Sequence, residues 1–133
     1  MDIAIVGATG NVGRKTLEVL QQKNLNIDNL YLVASPNSAG KQLEFNGKKY
    51  SIENLETYNF SKAKITFFAA GGKISEQYAE KAAKHTTVID NSSYFRMDPD
   101  VPLIVPQVNA KDIQNMKKNI IANPNCSTAQ LVL

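Results

Sequence analysis

The sequence holds a single cysteine, Cys126, among 133 residues. No internal disulfide can form, which fits a reducing compartment, so a cytoplasmic location is expected. It also holds a single histidine, His85. One cysteine and one distant histidine cannot make a zinc site, so no metal centre is expected. No apolar run approaches the ~18 residues that a membrane span needs, and no charged start precedes an apolar stretch. Neither a membrane segment nor a leader is expected. An excess of one charge is also nearly missing, with a net charge of +3 and a pI of about 9.0. The lysines are scattered, and Lys48-Lys49 and Lys117-Lys118 are isolated pairs. That distribution reads as solvated surface rather than a nucleic-acid patch, while a mild positive balance suits an anionic cofactor or substrate.

What is present is a hydrophobic content of 43% with 20% charged residues, enough for one packed domain. Ile3 to Val6 is a short apolar run ended by Gly7 and reads as a buried parallel strand. Val12, Thr16, Leu17, Val19 and Leu20 fall at helical spacing between Asn11 and Lys23. Leu30 to Ala34 is a second strand, followed by a polar loop from Ser35 to Gly40. Asn46-Gly47, between Phe45 and Tyr50, predicts a tight hairpin over Glu44 to Ile52. Ile65 to Ala70 is a strand closed by Gly71-Gly72. A helix with Ile74, Tyr78, Ala82 and Ala83 on one face then runs to about Lys84. Thr87 to Asp90 is a strand, and Asn91 to Pro106 is irregular. Val108 to Met116 reads as a short helix with Asn109 as its N-cap. Ile120 to Ala122 is a last strand, and Ser127 to Leu133 begins a helix. No stop signal follows Leu131-Val132-Leu133, which points to a truncated chain. There is no internal repeat. Strands alternating with helices predict an α/β fold of the Rossmann-like, doubly wound kind, a mostly parallel sheet with helices on both faces.

Gly7-Ala8-Thr9-Gly10-Asn11-Val12-Gly13 lies between the first strand and the first helix. Glycines there let the backbone turn sharply and approach a pyrophosphate, and the helix start offers free N–H groups and a positive dipole end. The spacing G-x-x-G-x-x-G is a variant of the dinucleotide fingerprint. A purely structural tight turn is the alternative. The second strand ends in Ala34-Ser35-Pro36-Asn37-Ser38-Ala39-Gly40-Lys41, with no acid. An acid would favour NAD by bonding the ribose 2′-hydroxyl and repelling a 2′-phosphate. Hydroxyls, an amide and Lys41 are compatible with NADP, and an ordinary polar loop is the plainer reading.

Cys126 follows Asn123-Pro124-Asn125 at a strand-to-helix junction. The positive end of a helix dipole favours the nucleophilic thiolate, whereas a free cysteine is otherwise most often a small buried hydrophobe. The run Ile89-Asp90-Asn91-Ser92-Ser93-Tyr94-Phe95-Arg96-Met97-Asp98 is dense in polar side chains directly after a strand, where an open sheet faces its ligand. Arg96 could hold a phosphate or carboxylate by paired N–H bonds, or be a surface arginine paired with Asp98. His85 reads as an exposed helix-end residue.

Taken together, several segments resemble the bacterial type of the aspartate-semialdehyde dehydrogenase family. They are GATGNVG (Gly7 to Gly13), SAGK (Ser38 to Lys41), AAGG (Ala69 to Gly72), VIDNSSYFRMDPD (Val88 to Asp100), VPQVN (Val105 to Asn109) and IANPNCST (Ile121 to Thr128). They span nearly the whole chain, and the combination of the serine-rich run with NPNCST is the specific part. The resemblance implies NADP-dependent interconversion of aspartate 4-semialdehyde plus phosphate with 4-phosphoaspartate, in the biosynthesis of lysine, threonine and methionine. It implies Cys126 as the nucleophile, which forms a thioester that phosphate cleaves. Arg96 matches the phosphate-binding arginine, with Asn125 lining that pocket. Gly7, Thr9, Gly10, Asn11, Val12 and Gly13 match the cofactor turn. Ser35, Asn37 and Ser38 match the ribose loop, and Gly71 and Gly72 a loop near the nicotinamide. Asn37 stands where the family often has an arginine for the NADP 2′-phosphate, so NAD stays open as the cofactor. Gln107 replaces a usual glutamate and Tyr94 a common alanine. The resemblance makes residues 1–133 the NAD(P)-binding domain alone. The carboxyl-terminal domain, with the catalytic histidine and most of the interface of a homodimer, lies outside it, and the chain is expected to be inactive alone. The partners implied are a small substrate and phosphate, with no nucleic acid and no membrane. Two other readings remain: a stand-alone nucleotide-binding or redox-sensing module, and a relative of the acyl-glutamyl-phosphate reductases.

Overall fold

A computed structural model describes residues 1–133. The elements in chain order are β1 (Asp2–Val6), α1 (Asn11–Gln22), β2 (Asn29–Ala34), β3 (Gln42–Phe45), β4 (Lys48–Asn54), β5 (Ile65–Phe68), α2 (Gly72–Ala83), β6 (Thr87–Asp90), α3 (Pro106–Asn109), β7 (Ile120–Ala122) and α4 (Cys126–Val132). They build one seven-stranded sheet in the order β3-β4-β2-β1-β5-β6-β7. Every neighbouring pair is parallel except the β3–β4 hairpin. Asn46 and Gly47 both take positive φ, 50° and 78°, as a two-residue turn matched to the strand twist requires. No helix is long and apolar enough to cross a membrane.

Right-handed crossovers place the helices. The chain moves one way from β1 to β2 and the other way from β5 to β6, so α1 and α2 fall on opposite faces of the sheet. Alternation along the strands supplies each helix with its own core. Ile3 and Ile5 of β1 face α1 and pack with Leu17, Leu20, Leu30 and Leu32. Ala4 and Val6 face the other way and pack with Phe68, Ala79, Ala82 and Val88. Each fully buried Ile, Leu or Phe contributes about 1.5–3 kcal/mol. Tyr58 closes the second core, edge-on to Phe60 at 5.2 Å between ring centroids. Burial, with smaller effects from Glu53 and Tyr31, pushes its phenol well above the ordinary range.

Beyond β1, the α1 face of the sheet is less covered, and Ile65, Phe67, Ile89 and Ile121 are half-buried there. The expected helix over Val108 to Met116 is not continuous. A single helical turn, α3, starts at Pro106, and a 3-10 turn occupies Ala110–Asn115. Asn109 does not cap forward. Its side chain accepts the Val105 N–H at 2.8 Å and donates to the Leu103 carbonyl at 2.8 Å, and forward it meets only the Asp112 side chain, at 3.0 Å. It braces the preceding turn, and Leu103 is in turn fixed by a parallel bridge to Ala122.

Candidate functional site

The chain reverses direction across the sheet between β1 and β5, and in open sheets ligands bind at that point, outside the strands' carboxyl ends. A cleft of about 360 Å³ lies there, lined by Val6, Gly7, Thr9, Gly10, Ala34, Ser35, Leu55, Ala69, Ala70 and Ile74. Two helices begin beside it, α1 after Gly10 and α2 after Gly71, and neither has a side-chain cap. Their first N–H groups therefore lack the partners that helix starts usually find in a neighbouring side chain.

The three glycines of the turn have different tasks. A Cβ on Gly7 would stand 2.8 Å from the Ala69 backbone, so its absence lets the ends of β1 and β5 approach. A Cβ on Gly13 would stand 2.0 Å from the Gly7 carbonyl oxygen, so Gly13 lets α1 pack onto the turn. Gly10 would meet nothing nearer than 3.5 Å. Protein packing does not demand a glycine there, and what it leaves open is the space in front of α1. Gly7, Thr9, Gly10 and Ser35 thus line the cleft, whereas Gly13 is buried against the turn and is not part of that lining. Gly71 and Gly72 open α2. Asn37 is exposed and Ser38 half-buried in the loop after β2. That loop is closed onto β4 by Gly40 N–H to the Ile52 carbonyl at 2.9 Å. Asn11 and Val12 line a different hollow, of about 510 Å³, on the α1 face, which Phe67, Ile89, Asn91 and Asn123 also border.

Cys126 is exposed at the start of α4, directly after β7. Asn125 is the N-cap, and its side-chain oxygen accepts the Thr128 N–H at 2.7 Å. Arg96 does not pair with Asp98. Its Nε donates to the Asn123 carbonyl at 2.9 Å and its Nη2 to the Asn91 carbonyl at 3.1 Å. Those carbonyls follow the ends of β7 and β6, so the guanidinium straddles two strand ends, and its other N–H groups meet no protein acceptor. The amides of Asn123 and Asn91 are joined at 2.6 Å. Asp98 is instead bonded by Lys118 at 2.9 Å and by the Asp100 N–H, which hold its carboxyl below the usual range. Lys118 also reaches Glu80 at 3.2 Å, and both acids raise its own affinity for a proton.

His85 is exposed between the end of α2 and the start of β6. It therefore lies at the amino-terminal ends of the strands, opposite the ligand end and about 13 Å away along a four-residue strand. No three His, Cys, Asp or Glu side chains come together as metal ligands do. Sequence reasoning did not anticipate the buried polar group beneath Arg96, formed by Ser75, Asp90 and Ser92. The only sign of it was the crowding of polar residues after Ile89.

Residues 2–116 match the family model described as semialdehyde dehydrogenase, NAD binding domain. An aspartate-semialdehyde dehydrogenase from Aquifex aeolicus is 54% identical over 98% of this chain and 39% of its own length. Aspartate-semialdehyde dehydrogenase 2 of Vibrio cholerae is 48% identical over 99% of this chain and 40% of its own length. The crystal structure of Vibrio cholerae aspartate-semialdehyde dehydrogenase II complexed with ASA superposes with a TM-score of 0.95, at 48% identity, over 98% of this chain and 43% of that one. The Candida albicans enzyme, solved with NADP, superposes with a TM-score of 0.75, at 26% identity, over 98% of this chain and 44% of that one. This chain spans about 40% of the length of the curated relatives it matches. It belongs to the semialdehyde dehydrogenase family, by the NAD-binding domain that residues 2–116 match.

Proposed function

We propose that this chain is the nucleotide-binding, cysteine-bearing part of an enzyme that converts aspartate 4-semialdehyde, phosphate and NADP to 4-phosphoaspartate and NADPH. The observation that carries the reading is the pairing of an exposed sulfur with a held guanidinium. Cys126 opens α4, and three residues earlier the Asn123 carbonyl fixes Arg96. The residues around the cleft fit a dinucleotide, since Gly10 keeps the uncapped start of α1 open to a pyrophosphate. The chemistry that a bound nicotinamide dinucleotide supplies is hydride acceptance. The protein's own part is covalent and electrostatic. The sulfur of Cys126 bonds to the aldehyde carbon, and at the acyl stage a phosphate oxygen bonds to that carbon as the sulfur leaves. The free N–H groups of Arg96 hold the phosphate as a planar fork.

No acid stands between Ser35 and Gln42, which removes the group that would repel a 2′-phosphate. The cofactor is accordingly NADP in this proposal, with Ser35, Asn37, Ser38 and Lys41 nearest the ribose. The one histidine is at the amino-terminal end of its strand, the wrong end to act on the sulfur. We place the acid–base residue and the dimer interface in the additional length that the relatives have, and expect this chain alone to turn over no aldehyde.

The test is acyl transfer to sulfur, which requires neither nucleotide nor histidine. The chain mixed with 4-phosphoaspartate should gain an aspartyl group, read by intact mass spectrometry, and Cys126→Ala should gain none. No adduct on a chain whose cysteine still alkylates readily would sink the reading. Equal acylation by acetylglutamyl phosphate would move the substrate to the reductase relatives. An exposed lone cysteine would also serve a redox module, but that module has no use for the fixed arginine.

A further inference from the structure

We propose that the buried carboxyl group of Asp90, with Ser75 and Ser92, is a positioning device that sets Arg96 against the strand end carrying Cys126; the inference rests on the reading of Arg96 as the phosphate residue. Asp90 is the last residue of β6 and has no exposed surface, and Ser75 of α2 has none either. Its strand neighbours are Phe68 and Ala122. An apolar residue would fit this place without the desolvation that a carboxyl group suffers there. That cost is offset by three hydrogen bonds: Ser75 Oγ donates to Oδ1 at 2.7 Å, the Ser92 N–H to Oδ1 at 3.0 Å and Ser92 Oγ to Oδ2 at 2.8 Å.

These bonds act on the loop that bears the arginine. Ser92 Oγ accepts the Tyr94 N–H at 3.2 Å, which pins the turn leading to Arg96. The Asp90 carbonyl accepts the Asn123 N–H at 2.9 Å, so the same residue also holds the β7 end. Arg96 then bonds the carbonyls of Asn91 and Asn123, the residue on either side of that arrangement. Two bonds to a planar guanidinium fix its plane, and the direction of its free N–H groups follows. Ser75 closes the first turn of α2, just behind the Gly71-Gly72 start of that helix. The carboxyl group therefore ties the α2 start to the arginine loop, and the backbone carbonyl of the same residue holds the cysteine strand.

A merely structural role would anchor α2 and lower the protection of the whole core. A positioning role moves Arg96 by itself. Nitrogen-15 NMR on this chain separates the two, using solvent exchange of the Arg96 Nε–H beside that of the β1 amides, followed by titration with inorganic phosphate. In Ser92→Ala we expect Nε–H exchange at least tenfold faster, with the β1 amides changed far less, and at least fivefold weaker phosphate binding. Ser75→Ala should give the same signature. Asp90→Asn keeps an acceptor for Ser75 and the Ser92 N–H and should retain most of the protection, whereas Asp90→Ala, which keeps none, should lose it, and that contrast decides the matter if either serine variant fails to fold. Unchanged Nε–H exchange in a folded variant lacking either hydroxyl, or a loss shared equally by every core amide, overturns the proposal. Phosphate that shifts no Arg96 resonance in the unmodified chain overturns the phosphate role instead, while the exchange result still judges the positioning.

Discussion

Replacing Gly13 by alanine should unfold part of what replacing Gly10 leaves standing, although both belong to one seven-residue turn. A Cβ at position 13 would lie 2.0 Å from the Gly7 carbonyl oxygen and 2.8 Å from the Ala8 Cα. Ordinary contact is about 3.5 Å, so α1 and the turn must separate by about 1.5 Å. Both obstacles are backbone, and no side chain can swing aside. Overpacking of this kind costs about 1–3 kcal/mol or more, against about 1 kcal/mol regained because alanine favours a helix over glycine. The net expectation for Gly13→Ala is a loss of about 2 kcal/mol, or roughly 8 °C in Tm for a chain of this size. Gly10 has φ −80°, which alanine adopts freely, and its nearest contact would be 3.5 Å. Gly10→Ala should stay within about 1 kcal/mol of the parent, the difference between glycine and alanine as an N-cap. It should nonetheless weaken NADPH binding at least tenfold, because the added methyl occupies the space in front of the helix start. Urea denaturation followed by circular dichroism gives the stabilities, and calorimetric titration gives the affinities. Equal denaturation midpoints for Gly13→Ala and the parent would refute the packing argument, and undiminished nucleotide binding by Gly10→Ala would refute the division of labour.

Other consequences are open to test. Cys126 is the only cysteine and is exposed, so the native chain should consume one equivalent of a disulfide reagent without denaturant; a reaction that needs urea would show the sulfur to be covered. Lys118 and the Asp100 N–H depress the Asp98 carboxyl, so its contribution to stability is present above the unfolded value of about 3.9 and is lost as pH falls through the lower folded value. The stability difference between the parent and Asp98→Asn should therefore be constant near neutrality and shrink in acid; a difference that persists at pH 2 would contradict the pairing. Tyr58 places its hydroxyl in the core without a protein partner, so Tyr58→Phe should leave the unfolding free energy from urea denaturation unchanged or raise it by up to about 1 kcal/mol, and a clear loss would show that the hydroxyl is used.

The parts of this molecule that are legible in its sequence are those decided within a few residues. The run from Ile3 to Val6, the spacing of Leu17 and Leu20, and Asn46-Gly47 each fix their local structure because period, propensity and turn chemistry agree, and the observed elements fall within two residues of those expected, apart from the Val108–Met116 helix. Position 109 shows where this stops. Asparagine has the propensity to cap the helix that follows it, but here the amide turns back to Val105 and Leu103, and it does so because Leu103 is held by Ala122, which arrives from β7. The same holds for Arg96. Its neighbour in sequence, Asp98, is the local partner, yet Lys118 comes from the turn before β7 to take Asp98 and leaves the arginine to the carbonyls of Asn91 and Asn123. Both outcomes depend on β7 lying beside β6, a pairing whose two strands are some thirty residues apart in the chain. A parallel pairing is made only after a long crossover, so no local pattern can encode what it brings together. The candidate site is built where such pairings end. Its residue types could be read along the chain, but which partner each one takes is settled by the order of strands in the sheet.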